Sequence, residues 1–308
     1  MSAISAQAPR AVVMVRPHRF RPNPQTAADN SFQQTADHDV ARAAYDATTR
    51  VADALTEAGV AVHLFEDTGD AHPDSVFPNN WFSTHAGGRV ALYPMYARNR
   101  RGERRADVID FLKQTYRVQE VIDYSGLEQD DLFLEGTGAM VLDHVSRIAY
   151  AVRSHRCDPL LVERFCTVFG YEPVVFDAVD AEGTAIYHTN VMMCIGTDVA
   201  LVGAETIVPA ARREEIVRRI EESGRTVVRL THEQVASFAA NAIELRGRDD
   251  ERVLAISATG HAALTASQRR AITESCRLLP VDVGPIELAG GSVRCMVAGI
   301  HLDPRGTL

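Results

Sequence analysis

Residues 147–153 (RIAYAVR), 158–170 (DPLLVERFCTVFG) and 172–177 (EPVVFD) follow one another as strand, helix and strand. The outer two are short apolar runs. The middle one places Leu160, Leu161, Phe165 and Val168 at helical spacing, the signature of an amphipathic helix. Asp158-Pro159 is a helix start, with proline in the first turn where its missing N–H costs nothing.

The same order recurs on both sides. Residues 80–84 and 89–93 read as a hairpin around Gly87-Gly88, followed by a helix over 103–116 and a strand over 118–123. Residues 191–195 and 199–202 form a hairpin around Gly196-Thr197-Asp198, before a helix at 209–223 and a strand at 225–230. Strands at 242–245 and 252–256, a helix at 265–276 and a strand at 278–283 complete another unit. The first strands begin near residues 81, 139, 190, 241 and 294, at intervals of roughly 50 to 58 residues, the scale of a repeat architecture. The fifth unit closes through the N-terminus, with a strand at 11–15, a helix at 37–59 and a strand at 61–65. Joining the two chain ends in one unit is a propeller device. The expectation is an α/β chain with a tail over 1–10 and a single domain over 11–308.

Composition narrows the function. The 308 residues are 46% hydrophobic, enough to bury a substantial core, and the net charge of −9 argues against nucleic-acid or anionic-membrane partners. Arg98, Arg100, Arg101, Arg104 and Arg105 form a short basic run, either a solvated helix start or a carboxylate clamp. The five cysteines, Cys157, Cys166, Cys194, Cys276 and Cys295, include no CxxC pair and no zinc-type spacing. That pattern fits reduced thiols in a cytoplasm. The opening MSAISAQAPR has no apolar h-region, and no apolar run is long enough to span a bilayer. A soluble cytoplasmic protein is expected, with a homodimer as the default assembly.

If five units surround an axis, equivalent positions converge on it. At or just before the first strands stand Asn79 and Asn80, Glu135, His188, Asn241 and Cys295. Each has an ordinary alternative: a turn signal for Asn79-Asn80, a salt-bridged acid for Glu135, a capped turn for His188, a backbone contact for Asn241. Cys295, in Gly290-Gly291-Ser292-Val293-Arg294-Cys295-Met296, alone reads as a small packed thiol. Together, thiol, imidazole and carboxylate are the parts of an activated-nucleophile site. Cys157, just before a helix, is the rival nucleophile, since a helix N-terminus lowers a thiol pKa. Cys166 and Cys276 are expected within helices and Cys194 in a strand. Residues 16–25 are expected to form a flap over the pore.

These segments resemble the guanidino-group-modifying superfamily of arginine deiminase, dimethylarginine dimethylaminohydrolase and the amidinotransferases. The resemblance spans nearly the whole chain and rests on Asp74-Ser75-Val76-Phe77-Pro78-Asn79-Asn80, Leu134-Glu135-Gly136, Tyr187-His188-Thr189-Asn190 and the Cys295 segment. It implies a five-bladed αβ propeller (pentein) that needs no metal or organic cofactor. It further implies Cys295 as nucleophile, His188 as general acid/base and Glu135 as its partner. Asp74 then contacts the substrate amine or guanidine, Phe77 with Leu134 and Phe133 excludes water, and Arg100 and Arg156 bind a carboxylate. Two departures matter. Asn79 and Asn80 stand where the dimethylargininase pattern has two acids, and Gly138 stands where deiminase-like enzymes have an aspartate. Losing those carboxylates removes the charge complement of a guanidinium and suits a neutral ureido group, which Asn can both donate to and accept from. The resemblance therefore implies a citrulline-utilisation hydrolase, giving ornithine, ammonia and carbon dioxide. An arginine or dimethylarginine hydrolase, an amidinotransferase and a non-catalytic amino-acid-binding propeller are the alternatives. Backbone N–H groups at Gly290 and Gly291 are candidates for holding an oxyanion.

Overall fold

Five short antiparallel hairpins, each extended by a parallel strand, organise the chain. The structure, a computed structural model, describes residues 7–27, 29–34 and 40–306. Strands β1 (Ala11–Pro17) and β2 (Ala61–Asp67) flank the helix Ala41–Glu57. Next come β3 (Phe82–His85), β4 (Arg89–Leu92), the helix Ala106–Thr115 and β5 (Glu120–Asp123). Then follow β6 (Met140–Asp143), β7 (Ile148–Val152), the helix Pro159–Phe169 and β8 (Glu172–Ala178). The next unit has β9 (Met193–Ile195), β10 (Val199–Val202), a short β11 (Ile207–Val208), the helix Ala210–Glu222 and β12 (Thr226–Arg229). The last holds β13 (Ile243–Arg246), β14 (Arg252–Ser257), the helix Ala266–Thr273 and β15 (Arg277–Val281), and β16 (Ala298–Ile300) follows near the C-terminus.

The sheets repeat one rule. In β3-β4-β5 and β13-β14-β15 the first pair is antiparallel and the second parallel. The sheets β9-β10-β12 and β6-β7-β8 are built alike, the latter extended by β11 on its outer edge. In the remaining sheet β16 pairs antiparallel with β1, Ala11 opposite Ile300, and β1 pairs parallel with β2, Ala11 opposite Ala61. The parallel pairings require a crossover, which the helices supply. The helix Ala41–Glu57 shows how: Ala44, Ala47, Thr48, Val51, Ala52 and Leu55 are its buried residues, at spacings of three and four that make one face. Residues from β3, β6, β9, β13 and β16 together line a single void.

Several boundaries differ from the sequence reading. β9, β13 and β16 begin two to four residues later than expected, because a single turn precedes them; 3-10 turns over Pro78–Asn80 and Thr189–Val191 and a helical turn over Gly136–Ala139 hold the buried polar residues instead. The helix expected from 103 begins at Ala106, since residues Arg98–Glu103 form a 3-10 segment in which Arg100 turns inward onto Glu103. The helix expected to 276 ends at Thr273, leaving Cys276 outside it. The start expected at residue 37 lies outside the described residues. Most of the tail expected over 1–10 does too, but Gln7 is buried, donating to Leu142 O (3.0 Å) and Ile195 O (2.9 Å) and accepting from His144 N (2.8 Å). Residues 16 and 17 belong to β1 rather than a flap. Among the described residues no helix is long and apolar enough to cross a membrane, and no group of three His, Cys, Asp or Glu is placed to hold a metal ion.

Candidate active site

The turns that precede the first strands carry the site. Glu135 is fully buried, and its backbone N–H donates to Arg156 O at 3.0 Å, which draws the 135 and 156 segments together. The segment after His188 is pinned by Thr189, whose Oγ1 donates to Ala139 O (2.5 Å) and accepts from Val152 N (2.7 Å). Just before it, Tyr187 Oη donates to Gly290 O at 2.5 Å, tying the histidine turn to the glycine pair before Cys295. Gly290 needs its positive φ of 78°, and a Cβ there would strike the Asn30 side chain at 2.4 Å.

Cys295 is buried, with its sulfur between two carboxamides. Asn190 Nδ2 and Asn241 Nδ2 both donate to Sγ at 3.2 Å, and Asn241 Nδ2 also donates to Asn190 O at 3.0 Å. Asn241 Oδ1 accepts from Arg294 N at 3.0 Å, which fixes the carboxamide's orientation. Two carboxamide N–H donors are therefore aimed at one sulfur.

His188 Nε2 lies 2.9 Å from Glu135 Oε2. Burial pushes the imidazole below its ordinary pKa, and Glu135 opposes that shift. Burial alone would raise Glu135, but Arg156, the His188 hydrogen bond and Arg100 outweigh it and hold the carboxyl at about 2. Arg100 Nη1 and Arg156 Nη1 stand 3.6 and 3.7 Å from Glu135 Oε2, and Tyr96 N donates to Oε1 at 3.0 Å. The acid is therefore a fixed anion beside the imidazole.

Cys295, His188, Asp74, Phe77, Asn80, Arg100 and Arg156 line one small cavity, lined also by Thr26, Asn30, Tyr187 and Gly291. The sequence-predicted residues are thus brought together. Glu135, Asn79 and Asn241 stand directly behind that lining, all fully buried. Asn79 Oδ1 and Nδ2, Asn80 Oδ1 and Asn190 Oδ1 are buried without a hydrogen-bond partner. Buried polar atoms are nearly always satisfied, so the free Asn80 Oδ1 on the cavity lining and the free Asn190 Oδ1 beside the thiol mark a place for a polar ligand.

Several expectations need correcting. Arg100 is already engaged: its Nε donates to Glu103 Oε1 (3.0 Å), its Nη2 to Glu103 Oε2 (2.8 Å), and its Nε faces Asp74 Oδ2 at 3.5 Å. Arg156 likewise holds Asp29 through Nε (2.8 Å) and Nη2, with Tyr187 stacked at 4.7 Å. Both arginines wall the cavity with their charge matched by protein acids. Cys157 is no rival: burial pushes its thiol well up, and its Sγ faces Ala139 O. Burial likewise raises Cys166, Cys194 and Cys276 to about 12. Gly290 N–H is spent on Glu287 O at 2.9 Å, so it cannot hold an oxyanion. Of the apolar gate, Phe77 alone lines the cavity, its ring lying where a Cβ on Gly291 would sit (2.7 Å); Leu134 is in the core and Phe133 faces another pocket.

Reading the sequence misses Asn190, Glu103, Asn23 and Asp29. Asn190 had a signal, for it stands as far before β9 as Asn79 stands before β3. Asn23, fully buried and donating to Asp74 Oδ2 at 2.8 Å, sat within the expected flap. Asp29 meets Arg156 across 127 positions of sequence, with no local cue.

The family model described as N,N dimethylarginine dimethylhydrolase, eukaryotic, matches residues 16–302. No curated protein matches the chain. Among solved structures, the N-terminal domain of ArgZ, an arginine dihydrolase from the ornithine-ammonia cycle in Cyanobacteria, is similar over 94% of this chain and 97% of its own, with 18% identity and a TM-score of 0.74. That structure is a cysteine-to-serine variant bound to substrate. AgrE, in a ternary complex with ornithine and NAD+, is similar over 96% of this chain but 40% of its own, with 17% identity and a TM-score of 0.75. A dimethylarginine dimethylaminohydrolase adduct with 4-chloro-2-hydroxymethylpyridine covers 95% of this chain and 100% of its own, at 14% identity and a TM-score of 0.66. The chain belongs to the N,N-dimethylarginine dimethylhydrolase family, within the guanidino-group-modifying superfamily of carbon–nitrogen hydrolases.

Proposed function

We propose that the chain hydrolyses a ureido amino acid, citrulline, to ornithine by way of a carbamoylated Cys295, on a five-bladed αβ propeller whose axis is framed by β3, β6, β9, β13 and β16. The observation that carries the substrate reading is the group of carboxamides around the thiol. Asn79, Asn80 and Asn190 hold polar atoms without partners, and Asn190 and Asn241, not acids, contact the sulfur. A ureido group offers N–H donors to carboxamide oxygens and one carbonyl acceptor, and it brings no charge to neutralise.

In the first step Cys295 thiolate attacks the ureido carbon, and protonated His188 gives its proton to the departing ornithine nitrogen. The carbon–nitrogen bond breaks and a thiocarbamate on Cys295 remains. Water then attacks that carbon while neutral His188 takes the water proton. Thiolate leaves, and the carbamic acid released decomposes to ammonia and carbon dioxide. Each group ends as it began. Glu135 holds the imidazole and stabilises its charged form through the cycle, as a fixed acid does for a catalytic histidine. Positioned acid–base transfer of this kind is worth about 10²–10⁴-fold.

A second reading has a guanidine substrate, arginine or a methylated arginine. It is favoured by the surplus of acids, since four carboxyl groups, Asp29, Asp74, Glu103 and Glu135, stand against the two guanidinium groups of Arg100 and Arg156. The name of ArgZ, an arginine dihydrolase, points the same way. Side-by-side assays with citrulline, arginine and dimethylarginine, scoring ornithine, citrulline and ammonia, separate the two. Ornithine from citrulline supports the first reading; turnover of guanidines with citrulline inert supports the second.

A further inference from the structure

A second chamber lies along the same five strands, beyond the catalytic turns. The void framed by β3, β6, β9, β13 and β16 is lined by Arg294, the residue before Cys295. Among the described residues Arg294 makes no ion pair; its one side-chain hydrogen bond is from Nη1 to Val297 O, at 2.8 Å. The contrast with Arg100 and Arg156 is direct, for each of those is matched by a bidentate carboxylate. Burial pushes Arg294 below its ordinary pKa, whereas acids raise both of the others. A guanidinium facing a polar void without a counter-charge is incomplete.

The rest of the lining sets the ligand's charge and shape. Glu244 is the one carboxylate there, and it is held through one oxygen: Oε2 accepts from Thr197 N (2.8 Å) and Oγ1 (2.5 Å), while Oε1 has no hydrogen-bond partner and stands 3.9 Å from Arg252 Nη1. His144 Nδ1 and Tyr171 Oη share a hydrogen bond at 2.9 Å, and the ring stacks on His301 at 3.9 Å; burial pushes the His144 imidazole well below its ordinary pKa. One unmatched positive charge accommodates one negative charge. A guanidinium fork matches a planar pair of oxygens. We propose that this chamber binds a small planar monoanion, a carboxylate or bicarbonate, on Arg294. The site is separate from the substrate cavity and does not depend on the reaction assigned to Cys295.

The test is thermal unfolding of the full chain at constant ionic strength, with sodium formate and sodium bicarbonate as probes and sodium chloride as the control, alongside titration calorimetry. A saturable rise in Tm with formate or bicarbonate beyond chloride is expected, with half-saturation shifted tenfold or more upward in Arg294→Lys, which keeps the charge and loses the fork. Glu244→Gln should tighten binding by removing the nearest negative charge. Response to bicarbonate alone assigns the site to the reaction's product side, and response to formate alone assigns it to a free carboxylate. No saturable difference from chloride, or an equal response in Arg294→Lys, overturns the proposal. If Arg294→Lys does not fold, the Glu244→Gln shift and wild-type calorimetry decide alone.

Discussion

Gly138 and His188 are packed so closely that a Cβ on residue 138 would lie 2.8 Å from His188 Nδ1 and 2.6 Å from Asn80 Oδ1. The missing aspartate at that position is therefore more than a lost charge: the imidazole and the Asn80 carboxamide occupy the space a side chain would take. Gly138→Ala must move one or both. A displacement near 1 Å at a reacting group costs roughly 100-fold in rate. We expect kcat to fall by about that much in Gly138→Ala, measured by steady-state kinetics, with the fold retained by circular dichroism.

Asn241→Ala removes one of the two donors on Cys295 Sγ and leaves Arg294 N without its side-chain acceptor. A hydrogen bond to a charged group contributes about 1.5–3 kcal/mol. Alkylation of Cys295 by iodoacetamide at fixed neutral pH should slow by roughly 10- to 100-fold, with a parallel fall in kcat. Asn190→Ala should act in the same direction. Unchanged alkylation in both variants means that the carboxamides do not stabilise the thiolate.

Glu103→Gln breaks the buried pair with Arg100, which also faces Asp74 and Glu135. Removing one partner of a buried ion pair costs about 3–5 kcal/mol where the other charge is left bare; Arg100 keeps Asp74 and Glu135 as counter-charges, so the cost falls at the lower end, about 3 kcal/mol. Chemical denaturation should show a loss of that size, well above the ~0–1 kcal/mol expected from an exposed pair such as Arg229–Glu214.

Stability should respond to acid through Glu135. Its folded pKa, about 2, lies below the ordinary 4.5, so the folded state binds the proton less readily than the unfolded one. The stabilisation is complete above about 4.5 and is lost as pH falls from there towards 2. Thermal unfolding across that window should show Tm dropping in the wild type and a shallower drop in Glu135→Gln.

The periodicity of strand and helix made the repeat legible, because each helix must show an apolar stripe and three of the hairpins turn at a glycine, Gly87-Gly88, Gly196 and Gly247. The strand starts were less legible. Pro78, Asn79 and Asn80 are buried in a 3-10 turn, and buried polar residues before an apolar run read as an extension of the strand. Cys295, His188 and Glu135 could be found because equivalent repeat positions gather at one place. The partners of Arg100 and Arg156 could not, for different reasons. Glu103 is three residues from Arg100 and looks like a helix-surface pair, yet both point inward. Asp29 reaches Arg156 through a loop from the N-terminal part of the chain. Such matched charges are decided by burial, which local sequence does not encode.

The central claim, a covalent ureido-carbon intermediate on Cys295, is tested most directly by mixing the protein with citrulline, quenching in acid and mapping the peptides by mass spectrometry. The account predicts a carbamoyl adduct confined to Cys295, released ornithine in the same quench, and neither in Cys295→Ala. Ornithine formed by Cys295→Ala at the wild-type rate would contradict it.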